Sequence, residues 1–169
     1  VWCLVLCIAR TTYTMAIDLP IPSKEQLEQM DKPFSLFLHF SIATFTGRDD
    51  PCDPSCPHAS LFAPKEAINT DNWAETAVAM GASEMCLTAH HGAGFAMWRT
   101  NLTDYGVKES RWSGDVVGSM YASARKFGLG ACLYFDLADA YHEGRGENAS
   151  ANLARQVSFL KELLTERGE

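Results

Sequence analysis

The chain has 169 residues, 47% of them hydrophobic, and a formal net charge of −7. That is enough apolar material for one compact domain, but too little chain for a complete eight-stranded α/β barrel, which takes about 250 residues. The acidic balance, with no basic run anywhere, argues against nucleic acid as a partner.

The first segment, Val1 to Ala9 (V-W-C-L-V-L-C-I-A), is apolar and is interrupted by Arg10. It reads in two ways. It has the apolar centre and small-residue end of a secretory signal without its initiator Met, or it is upstream read-through before a true start at Met15. It is too short to span a bilayer, so no membrane is expected as a partner. Residues 1–16 are therefore set apart from a domain covering 17–169.

Leu19-Pro-Ile-Pro-Ser23 is extended, and Ser23 to Met30 reads as a short helix with Ser23 as its cap. Phe34 to Phe40 (F-S-L-F-L-H-F) is a first buried strand carrying His39 at its carboxyl end. Ser41 to Pro64 reads as a long irregular loop, a length that usually signals function or disorder. It contains Cys52 and Cys56, spaced for a local disulfide in a secreted chain or, with His58, for a weak zinc site.

Thr70 caps a helix through Met80, with Trp73, Ala77 and Val78 on its apolar face and Gly81 as its stop. Met85 to Ala89 is a five-residue apolar run ending in His90, His91 and a glycine-broken turn, which suits a strand buried on both faces. Phe95 and Trp98 add aromatic surface just beyond, and imidazoles beside aromatics are the chemistry of a sugar or small-molecule pocket. A solvated loop is the plainer alternative.

Gly114 and Asp115 open a helix with Val116, Val117, Met120, Ala124 and Phe127 inward. Leu129 to Phe135 is a third strand, ending in Tyr134 and Asp136. After a polar loop, Ala149 to Arg167 is the clearest helix, with Leu153, Val157, Leu160 and Leu164 as its apolar stripe and Gly168 as its stop. Cys86 and Cys132 fall inside strands and read as small buried hydrophobes. Asn101-Leu-Thr and Asn148-Ala-Ser are glycosylation acceptors that lean toward secretion.

Three successive strand–helix units specify a parallel sheet with right-handed crossovers. No strand is followed by G-x-G-x-x-G, so a dinucleotide fold has no support. Each strand instead ends in a polar or aromatic cluster, the pattern of a barrel whose active face is built from strand ends. The expected fold is α/β: the first three βα units of a (β/α)8 barrel of the TIM type, truncated before a fourth strand due after Glu169.

The residues from about Leu19 onward resemble the N-terminal part of the α-L-fucosidase family of retaining glycoside hydrolases, in its plant-like branch. The resemblance is carried by L-P-x-P-S at Leu19, F-L-H-F at Phe37, T-F-T at Thr44, L-F-x-P at Leu61 and D-N-W at Asp71. L-T-A-x-H leading into G-F-x-x-W, L-T-D-Y at Leu102, G-D-V-V at Gly114 and the G-L-x-x-x-L-Y strand complete the series.

What the resemblance implies is a barrel that removes terminal α-L-fucose from glycans or glycoproteins, with one carboxylate as nucleophile and another as acid/base. It needs no cofactor, and it implies a secreted, lysosomal or vacuolar location. His39, His90 and His91 are the implied sugar ligands, with Tyr134 and Trp98 as pocket walls. The family's nucleophile belongs to a fourth strand, so no catalytic residue is assigned here and the chain alone is expected to be inactive.

The chain also departs from the family. K-H-H-D-G-F meets His90-His91-Gly92-Ala93-Gly94-Phe95, which reads either with His90 for the lysine and Gly92 for the second histidine or with His90 and His91 as the paired histidines and Gly92 inserted, and the Glu-Trp after T-F-T is replaced by Gly47-Arg48-Asp49-Asp50. A non-catalytic sugar-binding relative is therefore one alternative, and a metal-dependent hydrolase using His39, His90 and His91 is a second.

Overall fold

A computed structural model describes residues 20–48, 52 and 55–166. Residues 1–19, Met15 among them, and Asp49, Asp50 and Gly168 lie outside the described residues. The chain divides into two units, Val1–Asp31 and Lys32–Glu169.

In the first unit, helix α1 spans Lys24–Met30. Ser23 accepts from the Gln26 amide at 3.2 Å while the Gln26 side chain accepts from the Ser23 amide at 2.7 Å. This reciprocal cap satisfies two amide donors that the first turn leaves unpaired.

In the second unit, strand β1 (Ser35–Leu38) leads to a short helix α2 (Ala43–Thr46), a 3₁₀ turn at Ala59–Leu61 and helix α3 (Thr70–Met80). Strand β2 (Glu84–His90), helix α4 (Val116–Lys126), strand β3 (Gly130–Phe135), helix α5 (Ala140–Glu143) and helix α6 (Ala149–Glu166) come next. The strands form one parallel sheet in the order β1-β2-β3, so strands adjacent in sequence are adjacent in space. The expected α/β alternation is the observed one, an open three-stranded portion of a barrel-type fold.

Strand alternation sorts the side chains between two faces. Leu36, Leu38, Met85, Leu87, Ala89, Ala131, Leu133 and Phe135 pack into the hydrophobic core with Phe62, Ala74, Val116, Met120 and Phe159. Phe37, Cys86 and Cys132 share the opposite face, in register across all three strands, and Tyr134 follows two residues further along β3 opposite Thr88. β2 is buried along its whole length, as a central parallel strand should be.

Several local expectations needed correction. The Ser41–Pro64 stretch is not wholly irregular, since α2 and the 3₁₀ turn lie within it. Asn69, not Thr70, caps α3 by accepting from the Asn72 amide. Thr70 instead turns inward and pairs with Ser123 of α4 at 2.8 Å. The buried face of α3 is Thr70, Ala74 and Ala77, while Val78 is exposed.

On α6 most of the expected stripe faces out, with Leu160 half-buried. Leu153, Val157 and Leu164 are exposed, and Gln156, Phe159 and Leu163 are buried. Two stripes compete on this helix, and the one carrying Phe159 wins because that ring meets His90, Trp98 and Phe135.

Of the cysteines, Cys52 and Cys56 form the local disulfide, one of their two readings, while Cys86 and Cys132 differ from expectation. Cys86 and Cys132 are paired as a disulfide across β2 and β3. Direct opposition in the strand register is what brings this pair together. Its 46-residue separation gives the bridge an expected contribution of about 2–4 kcal/mol, through the entropy it removes from the unfolded chain. Urea unfolding of a Cys52→Ser/Cys56→Ser variant with and without reductant measures it. An unchanged midpoint would show that the strand bridge contributes nothing.

Candidate functional site

The strand ends place three of the sequence-selected residues together. His39 comes directly after β1, His91 directly after β2, and Tyr134 is the penultimate residue of β3. The His39 and His91 rings meet edge to face at 5.1 Å, His91 and Tyr134 lie 5.7 Å apart, and His39 and Tyr134 6.5 Å. Phe37 supports them from one layer below, 4.9 Å from His39 and 5.6 Å from Tyr134. Phe37 is 45% exposed and Tyr134 37%, so this patch opens to solvent. Two imidazoles and a phenol offer donors and acceptors beside aromatic faces, which is what a ring bearing several hydroxyls requires.

His90 does not join them. β2 carries one residue more than β3 at this point: Thr88 pairs with Tyr134 and His90 with the adjacent Phe135. Such a bulge reverses the alternation of faces beyond it. His90 thereby turns onto the core side, wholly buried and stacked on Phe135 at 4.9 Å, and His91 takes the open face. The three histidines proposed as a metal set therefore do not converge. No group of three or more His, Cys, Asp or Glu among the described residues is arranged to hold a metal ion.

Trp98 and Phe95 are likewise interior rather than pocket surface. Trp98 is fully buried, packs edge-on against Phe159 at 5.2 Å, and donates from Nε1 to Glu162 on α6 at 3.1 Å. Phe95 stacks on Phe62 at 5.5 Å and meets Tyr105 at 5.1 Å. The loop that carries His91 is thus anchored from behind by its own aromatics.

Behind the open patch is a buried polar hub that periodicity and motif spacing do not reveal. Asp139, fully buried, caps α5 and accepts from the His142 amide at 3.2 Å. His142 Nδ1 donates to its carboxylate at 2.9 Å, Arg155 at 2.8 Å and Gln156 at 3.3 Å, and His90 Nε2 stands 3.7 Å away. Burial opposes ionisation of Asp139, but His142, His90 and the backbone outweigh it and hold the carboxyl well below the usual carboxylate range. His90 Nδ1 donates to the Asp136 carbonyl at 2.8 Å, tying the end of β2 to the end of β3.

Thr103, His142 and Asp139 stand in the order of a hydroxyl–imidazole–carboxylate relay, with 3.1 Å between Thr103 Oγ1 and His142 Nε2. The Thr103 side chain is 9% exposed and its hydroxyl accepts from the Tyr105 amide at 3.0 Å, so it holds the loop together rather than facing a substrate. The one local signal for this hub was an aspartate just before a helical turn with histidine three residues on, a capping pattern. Its partners Arg155 and Gln156 are remote in sequence.

Among the described residues no helix is long and apolar enough to cross a membrane. The family model for alpha-L-fucosidase matches residues 23–169. The chain is 36% identical over 154 residues, 89% of its length, to "Alpha-L-fucosidase 1" of Arabidopsis thaliana, and 37% identical over 154 residues to a relative from Oryza sativa subsp. japonica. It spans 30% and 29% of the length of these curated relatives. A crystal structure of a glycoside hydrolase 29 family member from an unknown rumen bacterium superimposes with a TM-score of 0.79 at 32% identity, covering 89% of this chain and 27% of that one. With the family's pattern matched over nearly the whole chain and its strand ends assembled into one polar face, this chain belongs to the alpha-L-fucosidase family.

Proposed function

We propose that residues 17–169 form the sugar-holding part of a catalytic domain that releases terminal α-L-fucose from glycans or glycoproteins with retention of configuration. The observation that carries this reading is the convergence of His39, His91 and Tyr134 from three successive strand ends onto one open patch. His39 and His91 bond the sugar hydroxyls, and Tyr134 forms the wall. His90 and Trp98 act from behind, holding the loop in place. Two disulfides fit an oxidising compartment, so a secreted or vacuolar location goes with this reading.

Within this chain neither carboxylate near the third strand end suits the role of nucleophile. Asp139 is buried and saturated with partners, and Asp136 accepts from the Ala138 amide at 3.0 Å. The chain is therefore expected to bind L-fucose without hydrolysing an aryl α-L-fucoside. Each of His39→Ala and His91→Ala should weaken fucose binding about tenfold, the worth of one or two lost hydrogen bonds.

Ligand-observed NMR on the purified chain measures binding, and a fluorogenic fucoside measures turnover. Turnover by this chain that vanishes in His39→Ala would overturn the assignment, as would fucose binding indifferent to both variants. The non-catalytic alternative draws on Ala93, which is 9% exposed and stands where the family has an acidic residue. Fucose binding without turnover by the whole protein would favour it.

A further inference from the structure

One more strand-end group belongs to the face that carries His39, His91 and Tyr134. Asp136 directly follows β3, two residues beyond Tyr134. His90 pairs with Phe135 across β2 and β3, and the two rings stack on the core side at 4.9 Å. Register partners on parallel strands point to the same face, and the next residue on each strand points to the other. That step puts His91 on the open face, where its ring meets those of His39 and Tyr134. The same step puts Asp136 beside it.

The backbone of Asp136 is fixed on both sides by His90. Its amide donates to the His90 carbonyl at 3.0 Å, and its carbonyl accepts from His90 Nδ1 at 2.8 Å. The two carboxylate oxygens then differ. Oδ1 accepts from the Ala138 amide at 3.0 Å and closes the turn after β3, while Oδ2 has no hydrogen-bond partner among the described residues. Asp136 is half-buried, and Oδ2 is not one of the side-chain atoms sealed from solvent without a partner. It is an accessible acceptor. Gly92, next to His91, keeps it uncovered: a β-carbon there would stand 3.7 Å from Oδ2.

This oxygen brings a chemistry that the three rings lack. An imidazole or a phenol adapts to its partner, donating or accepting according to tautomer and rotation, whereas a carboxylate only accepts. It therefore calls for a group that donates, and a sugar covering it without a hydroxyl at that point leaves a charged oxygen unpaired. Such a mismatch is penalised more heavily than a missing apolar contact.

We infer that Asp136 is a further sugar-binding residue of this face, whose Oδ2 accepts from one ring hydroxyl and so selects for it. The inference rests on reading the patch as a sugar site, and the test separates the two. The plainer role of Asp136 is to close the turn through Oδ1 alone. Asp136→Asn tells these apart, because asparagine keeps an oxygen for the Ala138 amide and puts a donor where Oδ2 stood. Saturation-transfer NMR titrations are run on the purified chain as wild type, Asp136→Asn and His91→Ala. The probes are L-fucose, each of its monodeoxy analogues, galactose and mannose.

Asp136→Asn should melt as wild type does and bind L-fucose about tenfold more weakly, the lower end for a hydrogen bond to a charged group. One monodeoxy analogue should lose a similar factor against L-fucose in wild type and nothing further in Asp136→Asn, since the bond it lacks is already gone. Comparing two sugars within one variant is independent of any fraction unfolded, and a turn-closing role alone would leave that preference intact. If Asp136→Asn binds L-fucose as wild type does, or every analogue loses the same factor in both proteins, the inference is overturned. The fucose reading then still stands on His91→Ala. If L-fucose fails to bind while galactose or mannose binds and depends on Asp136, the fucose reading falls and the role of Asp136 stands. If no sugar binds, both fall.

Discussion

Asp139→Asn should cost about 3 kcal/mol of stability, the lower end of the range for removing one partner of a buried ion pair. The physical reason is the charge left behind. Arg155 is 9% exposed and pairs with both Asp139 and Glu147. Asparagine fills the same volume but leaves Arg155 with one carboxylate instead of two, and the His142 imidazole without an anion. Glu147 keeps the loss at the lower end of the range.

The same carboxylate sets a pH dependence. Its value in the folded chain lies below the ordinary one of 3.8, so the folded state holds the ionised form more strongly than the unfolded state does. The contribution is fully present above about pH 4 and is lost as pH falls from there toward the lower folded value. Urea midpoints from pH 7 down to pH 2 should be flat and then fall in wild type. In Asp139→Asn that share of the fall should be missing. Parallel curves for the two proteins would remove Asp139 from the account.

Gly94→Ala should be of comparable size, at about 2–6 kcal/mol, from backbone strain added to overpacking. Gly94 has φ +82°, a left-handed conformation that a β-carbon disfavours. That carbon would lie 2.1 Å from Asp139 Oδ1 and 3.2 Å from Tyr141 Cβ. Asp139 cannot yield, because His142, Arg155 and Gln156 all hold it. In the double variant Gly94→Ala/Asp139→Ala the collision disappears while the strain stays. The combined loss should therefore be smaller than the sum of the single losses. Simple additivity in urea unfolding would show that the two residues do not meet.

Gly94 also explains a feature of the candidate site. Its amide donates to the His91 carbonyl at 2.7 Å, closing a tight turn just beyond the imidazole that faces the open patch. The turn, the hub and the patch are thus one assembly. Disturbing the hub should change how His91 is presented before it changes the strands.

Features that depend on neighbouring residues were legible in the chain itself. The three strand–helix units, the caps at Ser23 and Asp115 and the left-handed stop at Gly81 are all where local rules put them. Helix ends and apolar periods can be read this way because the groups that satisfy them lie within a turn or two. The clustering of His39, His91 and Tyr134 was legible in outline too, since parallel strands deliver their last residues to one end of the sheet.

Long-range packing settled the rest. Whether His90 or His91 faces the patch depends on one extra residue in β2 relative to β3, and single-strand periodicity does not contain a register shift between two strands. The buried stripe of α6 was settled by where Phe159 finds rings to meet, and Trp98 was drawn inside by Glu162, 64 residues away. The Cys86–Cys132 bridge likewise needed the strands to lie in register. In each case the deciding partner is remote in the chain, and its free energy exists only once the sheet has brought the two together.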